Sequence, residues 1–325
     1  MRKQRPYENE GDATAISQNR PARILPHRRM KPIDFLGIGA QKAGTTWLWE
    51  ILRAHPQIWL PPRKELHYFD RALDYESPSF LASTHLLTRL FSRAPHDVEF
   101  REKCDGALRF AAQMRDWAAF RWSLRYYFGT YSDAWYLSLF AQGGEKLRGE
   151  ITPAYAILRE PDVARIARIM PRLKILFLLR NPVERAWSQV RFDWTRGASS
   201  GVDDPERIRA FIDSPVQALR SDYLRTLDIW EAHFPREQMF TGFYDDIAER
   251  PTELQADVLR FLGADPALGR AREELVRKVH VSKEAEMPPD IRRYLAAKYL
   301  PDLAKLSARI GGRATQWLRE VEAMQ

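Results

Sequence analysis

Apolar residues along the chain occur in two kinds of run, short continuous ones and longer ones with helical spacing. The continuous run IDFLGIGA (33–40) precedes TTWLWEILRAHP (45–56), in which apolar residues recur every three or four positions. The same order returns where RLKILFLLR (172–180) precedes NPVERAWSQVRFDW (181–194). Continuous apolar runs are typical of parallel strands buried on both faces, and the 3.6-residue period is typical of amphipathic helices. This alternation predicts an α/β domain whose central, mostly parallel sheet carries helices on both faces.

The pattern continues toward the carboxyl end of the chain. Residues 146–155 are predicted to hold a strand end and a loop, and residues 238–247 a further strand. Runs with helical spacing follow them at 160–171 and 252–263. Residues from about 72 to 140 have mainly helical spacing and include an aromatic-rich stretch.

Two helix ends carry capping signals. Asn181 and Pro182 stand where helices prefer an N-cap residue and a first-turn proline. Gly263 stands where a helix commonly ends in left-handed backbone. We therefore expect one helix to begin at Pro182 and another to end just before Gly263.

The first 30 residues differ in composition from the rest of the chain. Prolines and a glycine interrupt a polar, basic stretch there, and much of the formal net charge of +8 falls within it. Such a composition predicts a disordered basic extension. Residues 31–325 are predicted to form one domain with a helical, aromatic-rich insertion at about 72–140.

Hydropathy and cysteine content bear on the compartment. The longest strongly apolar run is ILFLL (175–179), far shorter than the roughly 20 residues that a membrane-spanning helix needs. The lone Cys104 cannot form an intrachain disulfide, which agrees with a reducing compartment. We therefore predict a cytoplasmic protein without a transmembrane segment. Beyond the extension the basic residues are interleaved with acidic ones, so no nucleic-acid partner is predicted, and the oligomeric state stays open.

The loop after the first predicted strand reads GAQKAGTT from Gly39 to Thr46. Its two glycines are four residues apart, as in the nucleotide-binding P-loop, but Lys42 lies inside the loop and Thr45 takes the usual position of the lysine. Glycines let backbone N–H groups converge on an anion, and the following helix N-terminus and Lys42 add positive charge. We favour a phosphate site, and the alternative is an ordinary strand-to-helix turn with a solvated lysine.

A second cationic position follows the most apolar strand. Arg180 ends the run ILFLLR, and Ser188 lies about two helical turns farther on. A guanidinium at the carboxyl end of a parallel strand suits a second phosphate better than a metal, although an ordinary surface ion pair is the alternative. Asp245 and Asp246 follow another predicted strand and could instead hold Mg²⁺ in a kinase-like site.

Together these segments resemble the sulfotransferases that use 3′-phosphoadenosine 5′-phosphosulfate (PAPS). GAQKAGTTWL (39–48) is similar to the 5′-phosphosulfate loop of that family, and LLRNPVERAWSQ (178–189) is similar to its 3′-phosphate segment. PPRKELHYFD (61–70) looks like the segment after the first helix in the glycan-type and bacterial branch. The resemblance covers roughly 33–263 and implies a single P-loop-like domain, PAPS as donor, adenosine 3′,5′-bisphosphate as product, and no required metal.

The resemblance also implies which residues bind the donor. For the 5′-phosphosulfate they are Lys42, Ala43, Gly44, Thr45, Thr46 and Trp47. For the 3′-phosphate they are Arg180 and Ser188, while Lys283 would belong to a loop that closes over the nucleotide.

Sulfuryl transfer requires an in-line nucleophile, and it also requires that the charge on the leaving oxygen be neutralised. Lys42 suits the neutralisation of this charge. The acceptor must also lose a proton to a base. Glu65 is our first candidate, because it follows a double-proline turn that can lead back toward the loop and because the resemblance places a carboxylate there. His67 is the second candidate, since imidazole titrates near neutrality. The alternative is that Lys64 and Glu65 form an exposed ion pair.

The aromatic stretch 117–136 has two interpretations. Its rings could face an acceptor, because sugars and aromatic compounds often pack on such side chains. We favour the simpler interpretation, in which Trp117, Phe120, Trp135 and the tyrosines pack in the core.

The predicted function is transfer of a sulfuryl group from PAPS to a hydroxyl, or less favourably an amine, of a glycan, lipid or small metabolite. One alternative is a P-loop kinase or NTPase that uses Mg-ATP. Another is a non-catalytic basic module that binds polyanions.

Overall fold

A five-stranded parallel sheet forms the centre of the fold. The structure is a computed structural model, which describes residues 32–75, 79–196, 204–269 and 286–324. The strands lie in the order β2-β3-β1-β4-β5, and all neighbouring pairs are parallel. They are β1 (Phe35–Gly39), β2 (Ile58–Trp59), β3 (Leu147–Ile151), β4 (Lys174–Leu179) and β5 (Met239–Phe243). The predicted α/β fold with a parallel sheet is confirmed.

Helices connect the strands and cover the sheet. In chain order they are α1 (Thr45–Arg53), α2 (Leu86–Phe91), α3 (Pro95–Gln113), α4 (Trp117–Phe128), α5 (Asp133–Ser138), α6 (Glu160–Ile169), α7 (Pro182–Arg196), α8 (Pro205–Ile212), α9 (Pro215–Ser221), α10 (Tyr223–Glu231), α11 (Tyr244–Glu249), α12 (Pro251–Leu262), α13 (Pro289–Ile310) and α14 (Arg313–Glu322). Short 3-10 turns occur at Ala141–Gly143, Pro153–Ile157, Arg236–Gln238 and Pro266–Leu268.

The core packs around the two central strands. Residues 175–179 of β4 are fully buried, as the continuous apolar run predicts for a strand covered on both faces. Trp47 of α1, Trp230 of α10 and Trp317 of α14 are at most 1% exposed and belong to the same hydrophobic cluster. Burying a large apolar side chain contributes about 1.5–3 kcal/mol, so these three residues anchor their helices to the sheet.

The strand order reverses beside β1. From β1 the chain leads to β2 on one side, whereas β4 and β5 lie on the other side. Gly39 of β1 is in register with Phe177 of β4, so the loops after β1 and β4 leave the same edge of the sheet next to each other. In open parallel sheets, ligands bind outside the carboxyl ends of the strands at such a reversal.

The capping signals are confirmed. The side-chain oxygen of Asn181 accepts a hydrogen bond of 3.1 Å from the Val183 amide, and Pro182 is the first residue of α7. Helix α12 ends before Gly263, whose φ is 85°.

Helices α2 to α5 occupy the segment predicted to be helical, and most of its aromatic residues are buried. Tyr126 stacks on Trp122 with ring centroids 5.1 Å apart, and both side chains are at most 3% exposed. The prediction that Trp117 packs in the core is wrong, because its side chain is 59% exposed. It precedes Trp122 by five positions, which places it roughly 140° away around the helix from the buried face.

The predicted amino-terminal extension lies outside the described residues. No helix within the described part of the chain is long and apolar enough to cross a membrane.

Candidate active site

The loop between β1 and α1 ends at a glycine that the backbone requires. Gly44 has a φ of 85°, in the left-handed region that favours glycine, and it is the N-cap residue of α1. A Cβ at this position would lie 2.2 Å from Cδ1 of Ile247 in α11. The close contact brings α11 against the start of α1 and leaves no room for a larger residue.

The first turn of α1 presents backbone N–H groups and hydroxyls at this edge of the sheet. The leading N–H groups of a helix have no acceptor within the helix, and no acidic residue occupies this first turn. Thr45 is 6% exposed, whereas Thr46 is exposed to solvent. The side chains of Ala43 and Trp47 are at most 1% exposed within the core, so these residues offer only backbone groups to a ligand.

Lys42 joins this loop to the segment after β4. Its backbone carbonyl accepts a hydrogen bond of 3.2 Å from Nη1 of Arg180, and its Nζ lies 4.1 Å from the ring centroid of Phe192 in α7. The structure thus brings together the two segments that the sequence predicts to bind phosphates.

Arg180 is held in place from several sides. The Tyr223 hydroxyl donates a 2.8 Å hydrogen bond to its carbonyl, and its guanidinium lies 4.3 Å from the ring centroid of Tyr244. Burial lowers the pKa of Arg180, but an arginine guanidinium remains charged at neutral pH. The result is a fixed cation beside the loop.

Ser188 lies in α7 and is 9% exposed. Residues four apart share one face of a helix, and Phe192, four positions later, contacts Lys42. Ser188 is therefore on the face of α7 that is turned toward the loop.

The segment after β2 reaches the same place. Nζ of Lys64 donates a 3.0 Å hydrogen bond to Oγ1 of Thr46 and lies 3.3 Å from Oε1 of Glu65. The predicted Lys64–Glu65 ion pair is thus present, but it is joined to the first turn of α1 instead of standing alone on the surface. This segment is the third that converges on the sheet edge.

Four charged groups of this segment form a chain of alternating sign: Lys64, Glu65, His67 and Asp70. Nε2 of His67 lies 3.5 Å from Oε2 of Glu65, and Nδ1 of His67 lies 2.7 Å from Oδ2 of Asp70. The Asp70 side chain is 1% exposed, whereas that of Glu65 is 35% exposed. Of the two carboxylates in this set, Asp70 is therefore buried, and solvent or a substrate can reach Glu65.

Neighbouring charges determine the protonation states of His67 and Glu65. Burial alone would lower the pKa of His67, but the carboxylates of Asp70 and Glu65 raise it to about 10. Burial would raise the pKa of Glu65, but the contacts with His67 and Lys64 lower it to about 2. At neutral pH Glu65 is therefore an ionised carboxylate that can accept a proton, and His67 is an imidazolium that cannot.

Sequence reasoning missed two members of this chain as site residues. The sequence indicates Lys64 only as the ion-pair partner of Glu65, and it assigns no role to Asp70. The available signal was spacing, because Asp70 follows His67 by three residues, close enough for a local hydrogen bond. Lys283 lies outside the described residues.

The carboxylates of the magnesium alternative are engaged elsewhere. Asp246 is 1% exposed and accepts hydrogen bonds of 2.8 Å from both Arg250 and Arg313. Oδ1 of Asp245 accepts a 3.2 Å hydrogen bond from Trp317. Across the described residues, no group of three or more His, Cys, Asp and Glu side chains is placed to hold a metal ion.

The sequence also matches a family. The model described as "Sulfotransferase family" matches residues 34–266, so the chain belongs to this family. The match begins just before β1 and ends after α12, and it includes all three segments that meet at the sheet edge.

Individual relatives are more distant. The bifunctional heparan sulfate N-deacetylase/N-sulfotransferase 1 proteins of Xenopus tropicalis and Xenopus laevis are 24% and 23% identical over 190 residues. These matches cover 48% of this chain and 21% of each relative, so the chain spans about a fifth of their length. A sulfotransferase structure from Alicyclobacillus acidocaldarius aligns at a TM-score of 0.58 and 23% identity, covering 88% of this chain and 99% of that chain. At this identity, the structural likeness shows the fold alone.

Replacing Asp70 with Asn tests the origin of the His67 protonation state. Asn retains the shape of Asp but removes its charge, so the pKa of His67 should fall from about 10 toward its usual value near 6.5. Because the pKa of His67 is higher in the folded state than in the unfolded state, its protonation stabilises the fold. This stabilisation is fully present below the unfolded-state pKa and is lost as pH rises through about 10. Asp70→Asn should therefore reduce the free energy of unfolding most below about pH 6.5, and the difference should shrink toward pH 10.

NMR titration of the imidazole and urea unfolding at several pH values measure both effects. Asp74→Asn is the control, since that exposed carboxylate pairs with Arg159. A wild-type His67 that titrates near 6.5 would contradict the assignment.

Proposed function

We propose that the protein transfers a sulfuryl group from PAPS to a hydroxyl of an acceptor molecule, with Glu65 as the base. The observation that carries this proposal is the convergence of three chain segments at one edge of the sheet. Arg180 donates to the Lys42 carbonyl, and Lys64 donates to Thr46, so two cation-bearing segments are tied to one helix N-terminus. A carboxylate, Glu65, lies next to them.

The distribution of anion-binding groups over two segments supports a donor with two phosphates. The loop and the first turn of α1 offer backbone N–H groups, Lys42 and the threonine hydroxyls, which suit the 5′-phosphosulfate. Arg180 and Ser188, on the segment after β4, suit the 3′-phosphate. Both oxygens of Asp246 and Oδ1 of Asp245 accept hydrogen bonds from other side chains, so nothing in this geometry favours Mg-ATP.

The reaction follows from these roles. The acceptor oxygen forms a bond to sulfur while the bond between sulfur and the 5′-phosphate oxygen breaks, which yields adenosine 3′,5′-bisphosphate. Lys42 and the N-terminus of α1 neutralise the charge that develops on the leaving oxygen. Glu65 takes the acceptor proton. Because its pKa is about 2, proton transfer occurs as the new sulfur–oxygen bond makes the hydroxyl acidic.

The acceptor class is proposed more broadly, as a glycan, a lipid or a small metabolite. The Xenopus relatives are described as acting on heparan sulfate and as N-sulfotransferases, so an amine-bearing glycan belongs in the acceptor panel beside hydroxyl acceptors. Release of adenosine 3′,5′-bisphosphate from PAPS in the presence of each acceptor identifies the class.

Arg180→Ala should weaken binding of adenosine 3′,5′-bisphosphate without unfolding the protein. A charge-assisted hydrogen bond contributes about 1.5–3 kcal/mol, so we expect Kd to rise about 10- to 150-fold by calorimetry. Arg168→Ala is the control, because it removes one exposed positive charge from α6, away from the loop. An unchanged Kd in Arg180→Ala would refute the 3′-phosphate site.

Glu65→Gln should abolish transfer and leave donor binding nearly intact. Loss of a positioned base lowers kcat by about 10²- to 10⁴-fold, while the Kd of adenosine 3′,5′-bisphosphate should stay within about twofold. Glu160→Gln is the matched control, since Glu160 is an exposed carboxylate that also contacts a histidine, His233. Full turnover by Glu65→Gln would remove this residue from the mechanism.

A further inference from the structure

The peptide between the two candidate bases has an unusual backbone. Glu65 and His67 have φ values of 63° and 53°, both in the left-handed region that non-glycine residues rarely adopt. Each such residue costs about 1–3 kcal/mol, and such conformations persist only where the surroundings enforce them. Leu66 lies between them and is fully buried. Something around Leu66 must therefore hold this backbone.

The N–H groups on both sides of His67 meet hydroxyls from the end of β3 and the turn after it. The Leu66 N–H donates to Oγ1 of Thr152 at 2.9 Å and contacts Oε2 of Glu150 at 3.3 Å. The Tyr68 N–H donates to the Tyr155 hydroxyl at 2.9 Å. These partners are 84 to 87 positions away in the sequence, so the contacts tie the segment to a distant part of the chain.

Glu150 sets the direction of these hydroxyls. Its carboxylate accepts hydrogen bonds from the hydroxyls of Thr152 at 2.7 Å, Tyr155 at 3.0 Å and Tyr136 at 2.6 Å. A hydroxyl that donates to the carboxylate keeps its lone pairs free to accept. Thr152 and Tyr155 are thereby oriented as acceptors for the two backbone N–H groups.

The remaining polar group of Leu66 is bound from the opposite direction. The hydroxyl of Tyr126, on α4, donates a 2.9 Å hydrogen bond to the Leu66 carbonyl. Both backbone polar groups of this buried residue are thus paired, and an unpaired one would cost about 1–3 kcal/mol.

We propose that five side chains, here called the Leu66 network, act as positioning residues for the transfer reaction. They are Tyr126, Tyr136, Glu150, Thr152 and Tyr155. None of them is proposed to touch the donor or the acceptor. They hold the backbone that places the Glu65 carboxylate against Lys64 on one side and His67 on the other. The inference rests on the proposed role of Glu65 as base.

The adjacent residues Tyr126 and Tyr127 provide a matched pair of variants. Both are fully buried, and each hydroxyl donates to a backbone carbonyl, that of Leu66 for Tyr126 and that of Lys103 for Tyr127. The Tyr127 hydroxyl also accepts from the Arg63 side chain but does not meet the Leu66 peptide. Tyr126→Phe and Tyr127→Phe therefore each remove one buried hydroxyl that donates to a backbone carbonyl, and of the two only the Tyr126 hydroxyl donates to the Leu66 carbonyl.

The primary measurement is the NMR titration of His67, which needs neither donor nor acceptor. The resonance is assigned by comparison with His67→Gln. In Tyr126→Phe the contact between Glu65 and His67 should loosen, so the imidazole should titrate about one pH unit or more lower than in the wild type. In Tyr127→Phe it should titrate as in the wild type. An unchanged titration in Tyr126→Phe, or equal shifts in the two variants, would overturn the proposal.

A second variant and a second readout separate positioning from simple stability. Glu150→Gln keeps the shape of the side chain, but its amide nitrogen donates where one of the two carboxylate oxygens accepted. Either the Thr152 hydroxyl or the Tyr136 and Tyr155 hydroxyls therefore lose their acceptor and their orientation. With the acceptor that gives the fastest release of adenosine 3′,5′-bisphosphate from PAPS, kcat should fall at least about tenfold while the KM for PAPS stays unchanged. A loss of kcat/KM that comes from a higher KM for PAPS with kcat unchanged would overturn the proposal. Full activity of Glu150→Gln would also overturn it.

Failure of the proposed function and failure of the Leu66 network give different results. If the wild type neither binds adenosine 3′,5′-bisphosphate nor consumes PAPS, the proposed function fails, whereas the His67 titrations still report on the network. If the wild type is active and His67 titrates alike in Tyr126→Phe and Tyr127→Phe, the network proposal alone fails.

Discussion

The hydrogen bond from Arg180 to the Lys42 carbonyl joins the ends of two adjacent parallel strands, and the site depends on this junction. Because β1 and β4 are parallel neighbours, the loops that follow them must leave the same edge of the sheet. A lysine and an arginine placed after those strands are therefore brought together by topology, although 138 positions separate them. The helix that starts at Thr45 adds its N-terminus to the same place.

A series of charged side chains adjoins this positively charged edge. Lys64 extends toward Thr46 in the first turn of α1, and Glu65, His67 and Asp70 continue from it in alternating sign. The buried Asp70 keeps the imidazolium charged, and the imidazolium keeps Glu65 ionised. The carboxylate proposed as base is thus maintained by a partner, His67, that sequence alone presents as its competitor.

Local sequence patterns were enough to predict the fold and the placement of most residues at the sheet edge. The run 175–179 and the caps at Asn181 and Gly263 are short-range signals, and the structure confirms each of them. The positions of Lys42 and Arg180 follow from strand-then-helix order, since parallel strands share an edge. Trp117 was wrongly expected in the core, because an aromatic residue in a helix does not reveal by itself which face it occupies.

The support around Glu65 could not be predicted in the same way. The left-handed φ of Glu65 has no sequence signal, because a glutamate does not mark such backbone as a glycine does. The contacts of Leu66 with Glu150 and Thr152 span 84 and 86 positions, and they depend on how the segment after β2 packs against β3. Buried hydroxyl and carboxylate side chains at the end of a strand gave no hint of this role, since they also occur as ordinary polar pairs in a core.

Calorimetric titration of the purified protein with adenosine 3′,5′-bisphosphate, compared with ATP plus Mg²⁺, distinguishes a PAPS site from a kinase-like site. We expect the bisphosphate to bind in the micromolar range or tighter without added metal, and Mg-ATP to bind more weakly. Binding of Mg-ATP alone would refute the PAPS site and would make Asp245 and Asp246 the residues to examine next.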